Sequence, residues 1–287
     1  MIVDKVITLA SSPIKTSFFA MERSLRATGC ELPLYVIPYN DQKFDLPQNA
    51  SWFENAELFA WLKERNAHAT MRKYICALVA NYQFVDSDVV FLKNPYEFLM
   101  PFNGFVTSCG HWNNPNEAVS QESRKIFAHH TTVWPKLVFN SGQFACDKPL
   151  FRSFNELKDT AQSPENVYTC LQFPYNEQPG LNLLRERSGV NIIQLTLPPY
   201  NMESTWAGDY TDIDFTRYWD PYERMPYLLH WAGRKADGSL PIDEYFFKWL
   251  TPQEKAAYMR EAQSKSASRI YRGINKVRYI WKSIKNA

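Results

Sequence analysis

"FVDSDVVFLKNP", residues 84–95, runs apolar, breaks on two carboxylates one residue apart, resumes, and stops at a proline. Phe84, Val85, Val89, Val90 and Phe91 predict a buried strand bounded by the Asn94-Pro95 turn. Asp86 and Asp88 interrupt it. On a strand two such carboxylates lie about 6–7 Å apart. Burying both is unfavourable without a cation or strong donors to offset their charge. A polar site is therefore expected on this strand.

Working outward, residues 67–80 read as a helix, with Met71, Tyr74, Ile75, Leu78 and Val79 forming an apolar stripe that leads into the strand. At the N-terminus "KVITLASSP" reads as a strand ending in a small-residue loop. "SFFAMERSLRATG" follows as a helix stopped at Gly29, and "LPLYVIPYN" as a second strand. A strand–helix–strand start implies a parallel sheet. Helices and strands alternate to about residue 250, with no internal repeat and no low-complexity linker. The fold class predicted is α/β: a single Rossmann-like domain over residues 1–250 with a mainly parallel central sheet, followed by a C-terminal helical extension over 251–287.

The 287 residues hold ample apolar content for one such domain. Five cysteines in no C-x-x-C spacing argue against a disulfide framework or a zinc knuckle. A reducing, cytoplasmic setting is expected, because "MIVDKVITLASSP" does not have the form of a signal peptide and no run of about 18 apolar residues occurs. The net charge of +2 hides an asymmetry. Seven of the 32 basic residues fall in 264–287 without an acid, leaving 25 against 30 acids in the body. Ile270, Ile274, Val277, Ile280, Trp281 and Ile284 stand near helical spacing among those cations. This tail reads equally as a helix packed on its own domain or as one lying on an anionic membrane surface through residues 265–287, on the inner face. Nucleic acid is not an expected partner, since the body is acidic and no nucleic-acid-binding motif accompanies the basic run.

Chemistry concentrates at strand ends, where open α/β sheets bind ligands. His230 follows the apolar "YLL" and precedes Gly233, Arg234 and Lys235. Two carboxylates and an imidazole form a donor set that suits Mn²⁺ and tolerates Mg²⁺. Such a cation would offset the charge of a departing diphosphate, and Lys235 could hold a phosphate oxygen.

The order "RKYICALVANYQFVDSDVVFLKNP", "FNSGQFACDK", "EQPGLNLL", "LLHWAGRK" resembles the GT-A nucleotide-sugar transferases, in particular retaining families such as glycogenin and the bacterial lipooligosaccharide galactosyltransferases. The resemblance spans roughly residues 1–240, and its sharp motifs are short. It implies a metal-dependent transfer of a sugar from a UDP-sugar or related nucleotide-sugar donor to a hydroxyl of a glycan or glycolipid acceptor. It implies direct coordination of Mn²⁺ or Mg²⁺ by Asp88 and His230, with Asp86 on the metal and the donor ribose and Ser87 beside the nucleotide. Thr8 and Ala10 match the first-strand loop that holds the base. Arg72 or Lys73 matches a basic residue that touches the donor. Asn140, Ser141 and Gly142 match a turn beneath the donor sugar, and Glu177 with Gln178 a catalytic pair near the reacting carbon. Gly233 and Lys235 match the diphosphate loop, although Ala236-Asp237 stand where the family has proline and tryptophan after the lysine.

Two other readings compete. "DSDVV" fits the D-x-D-x-[TV] of haloacid-dehalogenase-like phosphatases with Asp86 as nucleophile, but that motif belongs on a first strand. A non-catalytic nucleotide-sugar or carbohydrate-binding protein is the third. If the enzyme inverts, Glu177, Asp209 or Asp212 would have to serve as base.

Overall fold

The computed structural model describes residues 1–130, 134–172 and 177–262; the basic stripe expected over 265–287 lies outside the described residues. In chain order come β1 (Lys5–Ala10), α1 (Lys15–Ala27), β2 (Leu34–Pro38), β3 (Ala50–Trp52), α2 (Ala56–Glu64) and a 3-10 helix (Ala69–Leu78). These lead to β4 (Tyr82–Asp86), β5 (Val89–Phe91), α3 (Pro95–Leu99), β6 (Phe105–Thr107), α4 (Gln121–His130) and β7 (Gln143–Cys146). Then follow α5 (Phe154–Gln162), α6 (Gln178–Ser188), β8 (Ile192–Gln194), β9 (Leu228–His230), α7 (Glu244–Phe247) and α8, residues 252–262.

Seven strands form the central sheet in the order β3-β2-β1-β4-β7-β6-β8. Only β7 runs against its neighbours, so the sheet is mainly parallel, as expected. Strand periodicity divides the core into two layers. Ile7, Leu9, Tyr82, Phe84, Phe144 and Phe105 point into one, and Val6, Ala10, Val85, Ala145 and Val106 into the other. Phe144 stacks between Phe84 and Phe105 at centroid distances of 5.0 and 5.2 Å. Because Asp86 is two residues beyond Phe84, it leaves the sheet on the first side, where the 3-10 helix and α6 lie.

Two expectations need correcting. Residues 84–91 are not one strand: β4 ends at Asp86, a turn follows, and β5 leaves the main sheet to pair antiparallel with β9. Charge at 86 and 88 explains the break, since both carboxylates stay partly accessible at the turn, 27% and 35% exposed, instead of sinking into a continuous ladder. Residues 67–80 are not α-helical but carry a 3-10 helix over Ala69–Leu78. Its buried residues Met71, Lys73, Tyr74, Ile75, Cys76 and Ala77 do not make a single amphipathic stripe, because the segment is wedged between core and site.

A third core gathers Val90, Leu229, Trp231, Phe246 and Tyr258 around the β5–β9 ribbon. α8 belongs to this body. Tyr258 is buried there, and Glu254 takes a bidentate pair from Arg23 of α1 at 2.6 and 2.9 Å. No helix among the described residues is long and apolar enough to cross a membrane.

The seam between α6 and the 3-10 helix tolerates no added volume. A Cβ on Gly180 would stand 1.9 Å from the Tyr74 hydroxyl, which donates to Cys170 O at 2.7 Å. Gly180→Ala should therefore cost about 1–3 kcal/mol, the usual range for overpacking. Urea denaturation should show a lowered midpoint at an unchanged slope.

Candidate active site

The site begins where β4 stops. The Asp86 amide donates to Gly142 O at 2.7 Å, tying the strand end to the turn before β7. Register does the rest: Val89 pairs with His230, and the Trp231 amide donates to Asp88 O at 3.1 Å. His230 Nε2 thus stands 3.2 Å from Asp88 Oδ1 and 4.0 Å from Asp86 Oδ2. One ligand atom from each of Asp86, Asp88 and His230 lies within 4.8 Å of the other two. Nothing but hydrogen fits on the next residue. A Cβ on Gly142 would meet His230 Cε1 at 2.2 Å and Asp86 Oδ2 at 2.6 Å.

Behind this triad the Lys73 ammonium lies buried 2.8 Å from Asp86 Oδ1 and 2.6 Å from Glu177 Oε1. Ser141 Oγ also donates to Glu177 Oε1 at 2.8 Å, and the Ser141 amide donates to Gln178 Oε1 at 3.0 Å. Burial pushes the Asp86 carboxyl up from its ordinary value, with Lys73 working against it. Burial also disfavours charge on Asp88, but the neighbouring His230 outweighs it and the carboxyl ends below the usual range. Burial likewise opposes ionisation of Glu177, yet the charge and hydrogen bond of Lys73 prevail and hold it at about 2. Lys73 itself is raised, desolvation being outmatched by its two carboxylate partners.

On the other side of His230 a cleft of about 770 Å³ opens, bordered by Asn140, Thr205, Trp206 and Gly233. A carboxylate–imidazole triad at the C-terminal end of the central strand, backed by a buried ion network and fronted by a roomy cleft, can hold a divalent cation and an extended polar ligand together.

No protein-family model matches the sequence, and no curated protein matches it. Solved structures do match in fold. The galactosyltransferase LgtC, solved in complex with donor and acceptor sugar analogs, superposes with a TM-score of 0.56 at 16% identity, covering 88% of this chain and 99% of LgtC. The fold is that of the GT-A glycosyltransferases. An active-site mutant of LgtC gives 0.56 at 15% identity, with 88% and 99% covered. The bifunctional glycosyltransferase WbbM gives 0.56 at 14%, this chain covering 51% of its length.

Within that fold the expected residues divide. Asp86, Asp88, His230, Lys73, Ser141, Gly142, Glu177 and Gln178 converge, and Asn140 joins them by accepting from the Gly142 amide at 2.7 Å. Ser87 lies beside the carboxylates but is buried. Arg72 does not join: its guanidinium donates to Pro38 O at 2.7 Å and covers the Phe59 ring, so Lys73 is the basic residue of the pair that faces Asp86. Thr8 and Ala10 are fully buried within β1 and not on a loop after it, because the strand continues through Ala10 in register with Pro38. Gly233 adopts φ +72° and borders the cleft. Lys235 points to α8, with its ammonium 3.0 Å from Glu261 and 5.1 Å from the Tyr258 ring centroid.

Sequence reasoning missed Asn182 and Thr205. Asn182 exchanges two hydrogen bonds with the Phe139 backbone, both 2.9 Å, and so docks α6 against the turn that carries Ser141. A buried asparagine in the helical "GLNLL" was the available signal. Thr205 accepts the His230 amide through its carbonyl at 2.7 Å, a backbone contact that leaves no trace in sequence.

Two outcomes follow from this geometry. Gly142→Ala should lower the midpoint of urea denaturation at unchanged slope, since the new methyl must displace His230 or Asp86. Glu177 has a native pKa below its ordinary value of 4.5, so its contribution to stability is full above pH 4.5 and is lost as pH falls through about 2. The stability difference between wild type and Glu177→Gln, from urea melts at a series of pH values, should shrink across that window.

Proposed function

We propose that this protein is a metal-dependent glycosyltransferase that moves a sugar from a UDP-sugar to a hydroxyl of a glycan or glycolipid, with retention of configuration. The observation that carries the reading is the sharing of Asp86 between two devices: a triad with Asp88 and His230, and an ion pair through Lys73 to Glu177. The donor set of two carboxylates and one imidazole fits Mn²⁺ or Mg²⁺, and Asp86, Asp88 and His230 would hold the ion. When bound, such an ion offsets the negative charge of a departing diphosphate, a contribution of several kcal/mol.

The chain's own groups supply the remainder. Glu177, held at about 2, is a weak proton acceptor at neutral pH. Its fixed negative charge is suited to stabilising the positive charge that grows on the reacting carbon. Retention is what the resemblance to the retaining families implies, and in it the acceptor's proton passes to a donor phosphate oxygen. Gln178, oriented by the Ser141 amide, positions the donor sugar, and Gly233 leaves its backbone open to the diphosphate. Lys235 would bind a diphosphate oxygen in exchange for Glu261. The cations of residues 264–287 support an anionic membrane surface as the place where a glycolipid acceptor is met. The phosphatase alternative is disfavoured, because the D-x-D ends the fourth strand of the chain and not the first.

Asp88→Asn removes ligand charge at constant volume. Mn²⁺-dependent release of UDP from the best of a panel of UDP-sugars should fall by two orders of magnitude or more in the folded variant. Activity within tenfold of wild type, about 1.4 kcal/mol in the barrier, would remove Asp88 from the site.

A further inference from the structure

Trp206 is the exposed tryptophan among the described residues, with 44% of its surface open, and it borders the cleft beside His230. Its exposure is not looseness. Nε1 donates to Ala232 O at 2.9 Å, and its backbone bridges to His230. The six-membered ring lies on Gly208 so closely that a Cβ there would stand 2.5 Å from Cη2 and Cζ2. The ring is therefore supported from one side, one bridge away from the imidazole of the triad.

Keeping a large apolar ring half in water forgoes its burial, and the aromatic core next to it at Tyr210, Trp219 and Trp231 shows that burial was within reach. A supported aromatic face at a cleft is instead suited to a ligand with one apolar side, at little entropic cost. The face of a pyranose that carries axial C–H bonds is such a side, its hydrogens meeting the negative face of the indole. The remaining walls fit the hydroxyls of that sugar: the Asn140 and Asn201 side chains carry neutral amide groups. Around Trp206, Arg224 is paired with Glu203 and Asp209 adds a carboxylate, so an anionic sugar is disfavoured at that end of the cleft. The volume, about 770 Å³, is within the range of sites that enclose small ligands.

We propose that Trp206 is the platform on which the acceptor's sugar ring stacks, and that the acceptor is a neutral glycan terminating in a pyranose. This rests on the transferase reading and adds the acceptor's class to it. A free glycan and the headgroup of a lipid-linked one present the same ring, so both are accommodated.

Saturation-transfer NMR on the protein loaded with UDP and diamagnetic Mg²⁺, using methyl β-lactoside, methyl β-cellobioside and methyl α-maltoside, tests it. At least one should show saturation strongest on its ring C–H protons. Trp206→Ala should abolish that signal, Trp206→Phe should retain part of it, and Gly208→Ala, which displaces the ring without deleting it, should weaken it. The octyl glycoside of the same sugar should give an equal signal if the acceptor is free and a stronger one if it is lipid-linked. Absence of signal from all three sugars, persistence in folded Trp206→Ala, or a stronger response from 3′-sialyllactose would overturn the proposal. A thermal shift of wild type by UDP with Mn²⁺ is read alongside. Its absence defeats the transferase reading, whereas its presence without Trp206-dependent sugar binding defeats the platform alone.

Discussion

The ammonium of Lys73 sits almost without solvent between Asp86 and Glu177, and the candidate site is organised around it. An isolated charge at that depth would cost several kcal/mol, and so would either carboxylate left alone. Together they offset one another's burial, and each comes from a different element: the 3-10 helix, the end of β4 and the start of α6. The pair thus acts as a positional clamp. α6 can approach the end of β4 only where Glu177 reaches Lys73, and Ser141 and Gln178 are brought along by hydrogen bonds that depend on the same approach.

A second constraint is the departure of β5 from the main sheet. Had the chain continued straight from Phe84 to Phe91, Asp86 and Asp88 would have stood on one face with no imidazole near them. The turn after Asp86 sends β5 to β9 instead, and that pairing delivers His230 from more than 140 residues away, opposite Val89. Gly142 completes the arrangement by having no side chain where the imidazole and carboxylate meet.

Beyond the triad, the loop after β9 is itself supported. Asp243, fully buried, accepts from Trp231 Nε1 at 2.8 Å, Arg234 at 3.1 Å and the Gly238 amide at 3.0 Å. That network holds the 231–240 loop against α7 and α8, and it explains why Lys235 meets Glu261. The loop is anchored from the body side, leaving Gly233 toward the cleft.

The amino-acid order by itself determined the alternation of helices and strands, the parallel start of the sheet, and the carboxylates and histidine as candidate ligands. Each of these is a local signal: periodicity, a turn at Asn94-Pro95, a polar residue breaking an apolar run. What only the tertiary structure decided is long-range. Lys73 and Arg72 are adjacent and chemically alike, and nothing local says that one faces Asp86 while the other caps β2. The antiparallel course of β7, the split of residues 84–91 into two sheets, and the anchoring of Trp206 on Ala232 and His230 arise from contacts between distant segments. Burial selects among conformations that local sequence leaves nearly equal in energy, because desolvated charge is tolerated only where a partner waits, and that partner's position is a property of the whole fold.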